Sequence, residues 1–412
     1  MKKHIVEEAK RCLQCKKPSC VKGCPVSTPI NQIIEKFLNG QIMEAGELLF
    51  QNNPLSVICS LVCPHEKQCE GHCILHKKGV PIHFGDIEYY ISSYYLNMVK
   101  PDSPAIKGKK IAIIGSGPAG ITIAIILASR GYDIALFEAH DQIGGVLRYG
   151  IPEFRLPKNI LEKYKEKLMV MGIKIRPNTF IGQVLTVDDL FRDGYEAVFV
   201  GTGVWKPKPL GIKGESLGHV HYAIDYLKNP SVYELGHRVC IIGAGNVAMD
   251  VARTAIRNGV REVYIMYRSG YEDITADKHE VDYAMIDGVK FEYNKSPVEF
   301  VDEGVIYQET ETVKDQEGDS IIHVQEGPAT LFKADSVIIA ISQGPRDTIV
   351  SSTRGIAVDE KGLIMTNQTG MTTREGVFAS GDVVTGARTV AEAVRVSKIV
   401  ADAMDRYVKS VR

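Results

Sequence analysis

Apolar and polar positions along the chain change their pattern several times. An apolar run, Ile111 to Gly115 (IAIIG), is followed by a glycine-marked turn, a helical stretch from Gly117 to Arg130 and a second apolar run, YDIALFE, ending at Glu138. Short apolar runs separated by a helix-length segment predict parallel strands joined by a crossover helix. From His237 the same pattern returns: RVCIIG, a turn at Gly243 to Gly245, a helix to Asn258, then EVYIMYR. Two such βαβ units predict an α/β protein with two Rossmann-like nucleotide-binding domains. Between Ser296 and Phe332 the pattern alternates with period two, which predicts antiparallel strands appended to the second unit. The tail, Val377 to Tyr407, reads as a strand and an amphipathic helix. Ahead of all this, residues 1–100 carry short helical patterns at Ile30–Leu38 and Glu44–Phe50, and a polar, proline-containing stretch, Lys100 to Lys109, reads as a linker. The expected domains are therefore a mainly helical one at 1–100, a nucleotide domain in two segments at 108–225 and 345–412, and a second at 226–344.

Composition excludes several classes. With Lys+Arg 49 against Asp+Glu 50 in 412 residues, formal net charge is -1, so no overall field draws the chain to nucleic acid or to an anionic membrane. The amino terminus, MKKHIVEEAKRC, has mixed charge where a signal peptide places an apolar run. The apolar stretch Ile111 to Ala128 is broken by Gly115, Ser116, Gly117, Pro118 and Gly120, which fits strand, turn and buried helix rather than a membrane span. The expected location is the cytoplasm. There, cysteines serve as metal ligands more readily than as disulfides.

Eight of the nine cysteines lie in the first 73 residues, as Cys12, Cys15, Cys20, Cys24 and Cys59, Cys63, Cys69, Cys73. Their spacings are C-x2-C-x4-C-x3-C-P and C-x3-C-P-x4-C-x3-C. Eight thiolates match two 4Fe-4S cubes or two tetrahedral zinc ions; beside two nucleotide turns the balance favours iron-sulfur, because structural zinc carries no electrons. Cys240, on an apolar strand, reads as a small core residue.

In the first turn Gly115 makes the bend, Gly117 lets a pyrophosphate approach the backbone beside Pro118 and Ala119, and Gly120 allows close helix packing. Glu138, ending the next strand, can accept hydrogen bonds from a ribose. The segment 143–157, with Gly145, Leu147, Arg148 and Arg155, is too glycine- and proline-marked for a regular element and is expected to loop over a bound cofactor. Near the carboxyl end Gly381-Asp382 follows a strand and Thr389-Val390 opens a helix, a place for a polyol and electron-rich oxygen. The second turn offers Gly243, Gly245, Asn246, Val247 and Ala248, alanine being permitted at the third position. Arg268 ends the following strand. It is either the partner of a 2′-phosphate or a solvated charge.

As a set, the motifs RCLQCKKPSCVKGCPV (residues 11–26), NPLSVICSLVCPHEKQCEGHC, IGSGPAG, GGVLRYGIPEFRLP, IIGAGNVAMDVARTA and FASGDVV with TVAEAV resemble flavin and iron-sulfur oxidoreductases. Those are typified by the small subunit of bacterial glutamate synthase and the amino-terminal half of dihydropyrimidine dehydrogenase, and the resemblance covers essentially the whole chain. It implies FAD on the first turn and NAD(P)H on the second. It also implies one cube on Cys12, Cys15, Cys20 and Cys73, and another on Cys24, Cys63 and Cys69 with Glu88 of GDIEY as a non-cysteine fourth ligand. Cys59 is then spare, against the simple count of eight. Arg155 matches an arginine expected near the reactive nitrogen of the flavin, where a cation stabilises the reduced anion.

Two departures stand out. Relatives that use NADPH carry further arginines where this chain has Ser269-Gly270-Tyr271, and many read A-x-G-Q where it has Ala340-Ile341-Ser342-Gln343, a serine expected to shift the crossing between nucleotide domains. The function so implied is hydride transfer from NAD(P)H to FAD, then single electrons through two 4Fe-4S clusters to a second, catalytic subunit in a hetero-oligomer. The compact length and sparse arginines look most like the NADH-using input subunit of bacterial dihydropyrimidine dehydrogenase, with glutamate synthase, sulfide dehydrogenase and bifurcating transhydrogenase subunits close behind. A flavoprotein disulfide reductase is the enzymatic rival, but it needs a cysteine pair near the flavin and residues 74–412 offer only Cys240. A zinc-stabilised NAD(H) sensor is the non-enzymatic one.

Overall fold

The computed structural model describes residues 2–99, 108–314, 320–325 and 327–411. The expected linker thus lies outside the described residues but for its last two positions. By internal contacts the chain forms two units, one of Met1–Arg148, Glu153–Val204 and Pro345–Arg412, the other of Tyr149–Pro152 and Trp205–Gly344.

The first unit begins with six helices: α1 (Lys2–Lys10), α2 (Ser19–Gly23), α3 (Ile30–Leu38), α4 (Ile42–Asn52), α5 (Ser56–Val62) and α6 (Phe84–Met98). Apolar residues at helical spacing hold them together. Ile30, Ile33 and Ile34 of α3, Ala45 and Leu49 of α4, and Ile87 and Ile91 of α6 share one core with Cys69. Gly46 permits the close crossing of α4 and α6, since a Cβ there would come within 2.4 Å of Tyr95.

The chain then builds a sheet from β1 (Lys110–Ile114), α7 (Pro118–Ser129), β2 (Asp133–Phe137), α8 (Val146–Tyr149), α9 (Asn159–Val170), β3 (Lys174–Arg176), α10 (Val187–Arg192) and β4 (Tyr195–Val200). In the second unit follow β5 (Lys206–Pro207), β6 (Val220–Tyr222), α11 (Ala223–Lys228), β7 (Arg238–Ile242), α12 (Asn246–Arg257), β8 (Glu262–Met266), α13 (Lys278–Ile286) and β9 (Lys290–Glu292). Next come β10 (Lys295–Val301), β11 (Gly304–Lys314), β12 (Ser320–Val324), β13 (Thr330–Lys333), β14 (Ser336–Ile339) and β15 (Gln343–Gly344). The chain returns to the first unit with α14 (Thr348–Ser352), β16 (Val377–Ala379), α15 (Asp382–Thr385) and α16 (Val390–Ser410).

Both nucleotide sheets are parallel and five-stranded, ordered β16-β4-β1-β2-β3 and β6-β14-β7-β8-β9. In the first, α7 is apolar on nearly every side because it lies between the sheet and α16. The alternating stretch forms the antiparallel group β10-β11-β12, with β13 also on β11. By contacts the second unit takes in residues 205 onward, and within it β6 adds to the second sheet beside β14, a pairing with no local sequence signal. One expectation changes: the segment 143–157 is not wholly irregular, since Val146–Tyr149 winds one helical turn behind Gly144 and Gly145.

Candidate functional site

The first glycine turn is shaped by three different steric demands. Gly115 has φ +95°, and a Cβ there would lie 2.5 Å from the carbonyl oxygen of Gly201 beyond β4. At Gly120 a Cβ would lie 1.9 Å from the carbonyl oxygen of Gly115, so only glycine lets α7 sit this close to β1. Gly117 meets nothing within 4 Å and leaves an open cradle at the α7 N-terminus, with Pro118 in the first turn and Ala119 behind it. A pyrophosphate fits such a cradle.

Glu138 is buried at 4 % exposure, and four donors converge on its carboxylate. Ser116 donates from its backbone N–H (3.0 Å) and from its hydroxyl, and His140 from its backbone N–H (2.8 Å) and across a 3.0 Å contact from Nδ1. Burial pushes the Glu138 carboxyl up, but the hydrogen bonds from His140 and Ser116 outweigh it and hold it below the usual range. Ser116 and His140 were not singled out from sequence; their only signal was adjacency to the turn and to Glu138.

The remaining first-turn residues gather nearby. Gly145 (φ +53°) would place a Cβ 2.9 Å from Gly117 Cα, Gly381 (φ +76°) would place one 3.1 Å from Ala119 Cβ, and Gly144 N–H donates to the Ser116 hydroxyl (3.1 Å). Leu147 is fully buried. Arg148 is engaged within its own loop, donating to the carbonyl of Ile143 (2.8 Å) and pairing with Glu162. Asp382 begins α15 and is pushed up to about 6, by burial first and by Glu392 as well, while the backbone N–H of Arg388 opposes the rise. Thr389 and Glu392 form a reciprocal capping box that starts α16 at Val390. Arg155 is half-buried in the 150–158 segment beside buried Leu156.

The second turn repeats the logic. Gly243 has φ +118° and no room for a Cβ, which would lie 2.6 Å from the carbonyl oxygen of Ala340, while Gly245 faces only Thr275 Oγ1 at 3.6 Å. Ala248 is fully buried and Val247 partly so. Asn246 is clasped by Asp277: Asn246 Nδ2 donates to the Asp277 carboxylate (2.9 Å) and Asp277 N–H donates back to Asn246 Oδ1 (2.8 Å). Thr275 and Asp277 escaped the sequence reading because they reach the turn through space from beyond β8. Arg268 keeps an exposed side chain just past β8, its carbonyl accepting from Thr310 Oγ1 (2.7 Å).

The cysteines sort into two sets. Cys12, Cys15, Cys20 and Cys73, with Cys69 at one side, line a cavity of about 90 Å³ walled by Ile30, Ile34, Leu75, Ile82 and Phe84. Burial and then the charges of Cys15 and Cys73 raise the Cys12 thiol; burial and then Cys73 push Cys20 up to about 11. Around Glu88, 5 % exposed, stand the others. Burial and then Cys59 raise the Glu88 carboxyl; Cys24 and Cys69 are raised by burial and by the charge of Glu88. Cys63 is raised first by its hydrogen bond with Cys59, then by burial, Cys59, Glu88 and Cys69. Cys59 is itself buried and also accepts from the Asn53 side chain.

A carboxyl and several thiols buried together suit a positively charged centre, which would stabilise their ionised forms. The apolar cavity carries Cys12, Cys15, Cys20 and Cys73 around one space, as a cube with one ligand per iron requires. The Glu88 set is the one that abuts the first sheet's helices. Tyr164 of α9 donates to the carbonyl of Pro54 (2.6 Å) and feels Cys59 and Glu88, and Lys398 of α16 donates to the carbonyl of Asn52 (2.7 Å). A wider cavity, about 480 Å³, opens on the first sheet beside Lys110, Asp133, Phe137, Lys174, Arg176 and Tyr195, and no residue of the glycine turn lines it.

Comparison with known proteins agrees with this geometry. The family described as pyridine nucleotide-disulphide oxidoreductase matches residues 109–397, and that described as dihydropyrimidine dehydrogenase domain II, 4Fe-4S cluster, matches residues 1–99. The chain is 35 % identical to the glutamate synthase [NADPH] small chain of Halomonas elongata, over 94 % of this chain and 87 % of that one. It is 32 % identical to the glutamate synthase [NADPH] small chain of Escherichia coli, over 98 % and 91 %. The NADP(+)-dependent formate dehydrogenase subunit beta of Moorella thermoacetica is 32 % identical over 95 % of this chain and 60 % of its own length. In fold it is similar to Mycobacterium tuberculosis FprA in complex with NADPH, with TM-score 0.62 and 18 % identity over 73 % of this chain and 85 % of that one. No helix among the described residues is long and apolar enough to cross a membrane.

Proposed function

Since the chain belongs to the glutamate synthase small chain family of NAD(P)H-dependent FAD and iron-sulfur oxidoreductases, we propose that it feeds electrons from NAD(P)H, through FAD and two 4Fe-4S clusters, to a second, catalytic subunit. When bound, FAD accepts a hydride and releases electrons singly, and the clusters conduct them. Every other role falls to the chain. The first turn, Glu138 and Gly381-Asp382 bind FAD; the second turn, braced by Asp277, binds the dinucleotide; Arg155 supplies a cation toward the flavin.

The observation that carries this reading is the sorting of the ligands. Cys12, Cys15, Cys20 and Cys73 form an outer set, and Cys24, Cys63 and Cys69 with Glu88 an inner set lying against α9 and α16 of the FAD sheet. The path then runs from the FAD sheet to the inner set, the outer set and the partner. Glu88 rather than Cys59 completes the inner set, because Glu88 is the group that Cys24, Cys63 and Cys69 all face. A lone exposed arginine past β8, followed by buried Ser269, supports NADH as the donor and a dihydropyrimidine dehydrogenase type of partner, with a glutamate synthase type the alternative.

Protein purified or reconstituted without oxygen is expected to hold about eight iron and eight acid-labile sulfide per FAD, and NADH is expected to bleach its flavin absorption. About two zinc ions per chain, with no sulfide, would refute the reading.

A further inference from the structure

The two ligand sets differ in their access to solvent. Glu88 and Cys69 of the inner set are buried, whereas all four cysteines of the outer set are partly exposed and their cavity is walled partly by Leu13, Lys17 and Ile74, whose side chains reach solvent. Two apolar side chains of the cavity lining stand bare, Leu13 at 57 % and Ile74 at 49 % exposure. Arg11 fixes this face by donating to the carbonyls of Val80 (2.7 Å) and Pro81 (3.2 Å) while pairing with Glu8 (2.7 Å). The segments that bring the outer cysteines, 9–22 and 71–81, contain Lys10, Arg11, Lys16, Lys17, Lys22, Lys77 and Lys78 and no Asp or Glu, in a chain whose net charge is -1. Lys10 pairs with Glu7. Among the described residues Lys16, Lys17, Lys77 and Lys78 are exposed and meet no carboxylate.

Resting on the function proposed above, we infer that this face is where the electron acceptor docks, and that the acceptor is a protein with an acidic rim around a one-electron centre near its surface. An apolar patch over the outer cavity excludes water where the centres approach, and lysines at its edge steer an acidic partner into register. Each NAD(P)H oxidised yields one proton and two electrons, so two acceptor centres are reduced one at a time. No other redox group is needed.

The test uses the full chain loaded with FAD and iron-sulfur, and compares wild type with the triple variant Lys16→Glu, Lys77→Glu, Lys78→Glu. Lys17 is left intact because it lines the cavity. The probe is a small acidic plant-type ferredoxin, with basic cytochrome c as its opposite. Reduction of flavin and clusters by NAD(P)H, followed by absorbance and by paramagnetic resonance, should match wild type. At low ionic strength kcat/KM for the ferredoxin should fall at least tenfold, its salt dependence should flatten, and cytochrome c should be reduced faster. Wild-type ferredoxin kinetics in the variant would overturn the docking face alone, and so would a charge-dependent binding to vesicles of anionic phospholipid with ferredoxin kinetics unchanged. Failure of NAD(P)H to reduce even the wild type would remove the electron-transfer reading, and the docking face with it.

Discussion

Glu138 offers a quantitative test of how the first turn is built. Its carboxylate has two oxygens and about four lone-pair sites, and all four are taken by the donors of Ser116 and His140. Glu138→Gln replaces one oxygen by an NH2 group that faces two of those donors, so two charge-assisted hydrogen bonds are lost and two donors are left facing a donor. With such bonds worth roughly 1.5–3 kcal/mol each, and some relaxation of the His140 ring, the flavin-free protein is expected to lose on the order of 3 kcal/mol in urea unfolding. A ribose hydroxyl can reach the carboxylate only by taking a site from one of its present donors, and the Ser116 hydroxyl, a free rotor, yields most easily. FAD affinity should therefore fall about 10–100-fold in Glu138→Gln, as expected for one charged hydrogen bond at 1.4 kcal/mol per tenfold, and less in Ser116→Ala.

The pH dependence has a fixed sign. A carboxyl held below its ordinary 4.5 when folded stabilises above that value and loses the contribution as pH falls through the folded value, so the acid limb of stability should shrink in Glu138→Gln. A variant with wild-type stability, wild-type acid limb and wild-type FAD affinity, the last read from flavin fluorescence quenching, would refute the argument.

Asp382 should act with the opposite sign. Its folded value near 6 exceeds the ordinary 3.8, so the folded state holds the extra proton between those values, and flavin-free protein should lose stability as pH rises from about 4 to about 6. Thermal melts across that window should flatten in Asp382→Asn. Ser342, exposed at φ +134°, occupies a conformation that favours glycine. Relief of roughly 1–3 kcal/mol of strain against about 0.5–1 kcal/mol of chain entropy leaves Ser342→Gly more stable by ~1 kcal/mol, checked by the urea midpoint. Gly120→Ala puts a methyl 1.9 Å from the carbonyl oxygen of Gly115 and should cost at least ~2 kcal/mol and FAD binding together. Gly117→Ala, with open space around the new methyl, should leave stability within ~1 kcal/mol and lose mainly FAD.

The glycine turns were legible in sequence because their roles are local. Gly115, Gly117 and Gly120 each answer a steric question posed by a strand, a turn and a helix within six residues. Glu138 was legible for the same reason, as the end of the next strand. Ser116 and His140 were not, since a serine or a histidine beside a turn has no pattern of its own, and Thr275 and Asp277 were not, since they reach the second turn from a loop beyond β8. β6 was hidden likewise: three residues become part of the second sheet only through pairing with β14, far along the chain. Spacing alone made the cysteines two groups of four. The fold instead brings Cys73 into one cavity with Cys12, Cys15 and Cys20, sets Cys24, Cys63 and Cys69 within reach of the Glu88 charge, and hydrogen-bonds Cys59 to Cys63.

That place for Cys59 explains more of the NPLSVIC segment than a ligand count can. Residues 52–54 are each tied down: Lys398 of α16 grips the carbonyl of Asn52, Tyr164 of α9 grips that of Pro54, and between them the buried Asn53 side chain accepts from Leu55 N–H (2.9 Å) and hydrogen-bonds Cys59. Cys59 in turn bonds Cys63. A line of contacts thus runs from two helices of the first sheet to Cys63, which the proposed function makes a ligand of the inner set. Each bond contributes only about 1 kcal/mol to stability, but together they fix where the inner set stands relative to α9 and α16. Orientation of ligands by groups that never touch the metal is what such a segment supplies. A thiol suits Cys59, because it is small, apolar enough for full burial, and still able to hydrogen-bond a neighbouring thiolate.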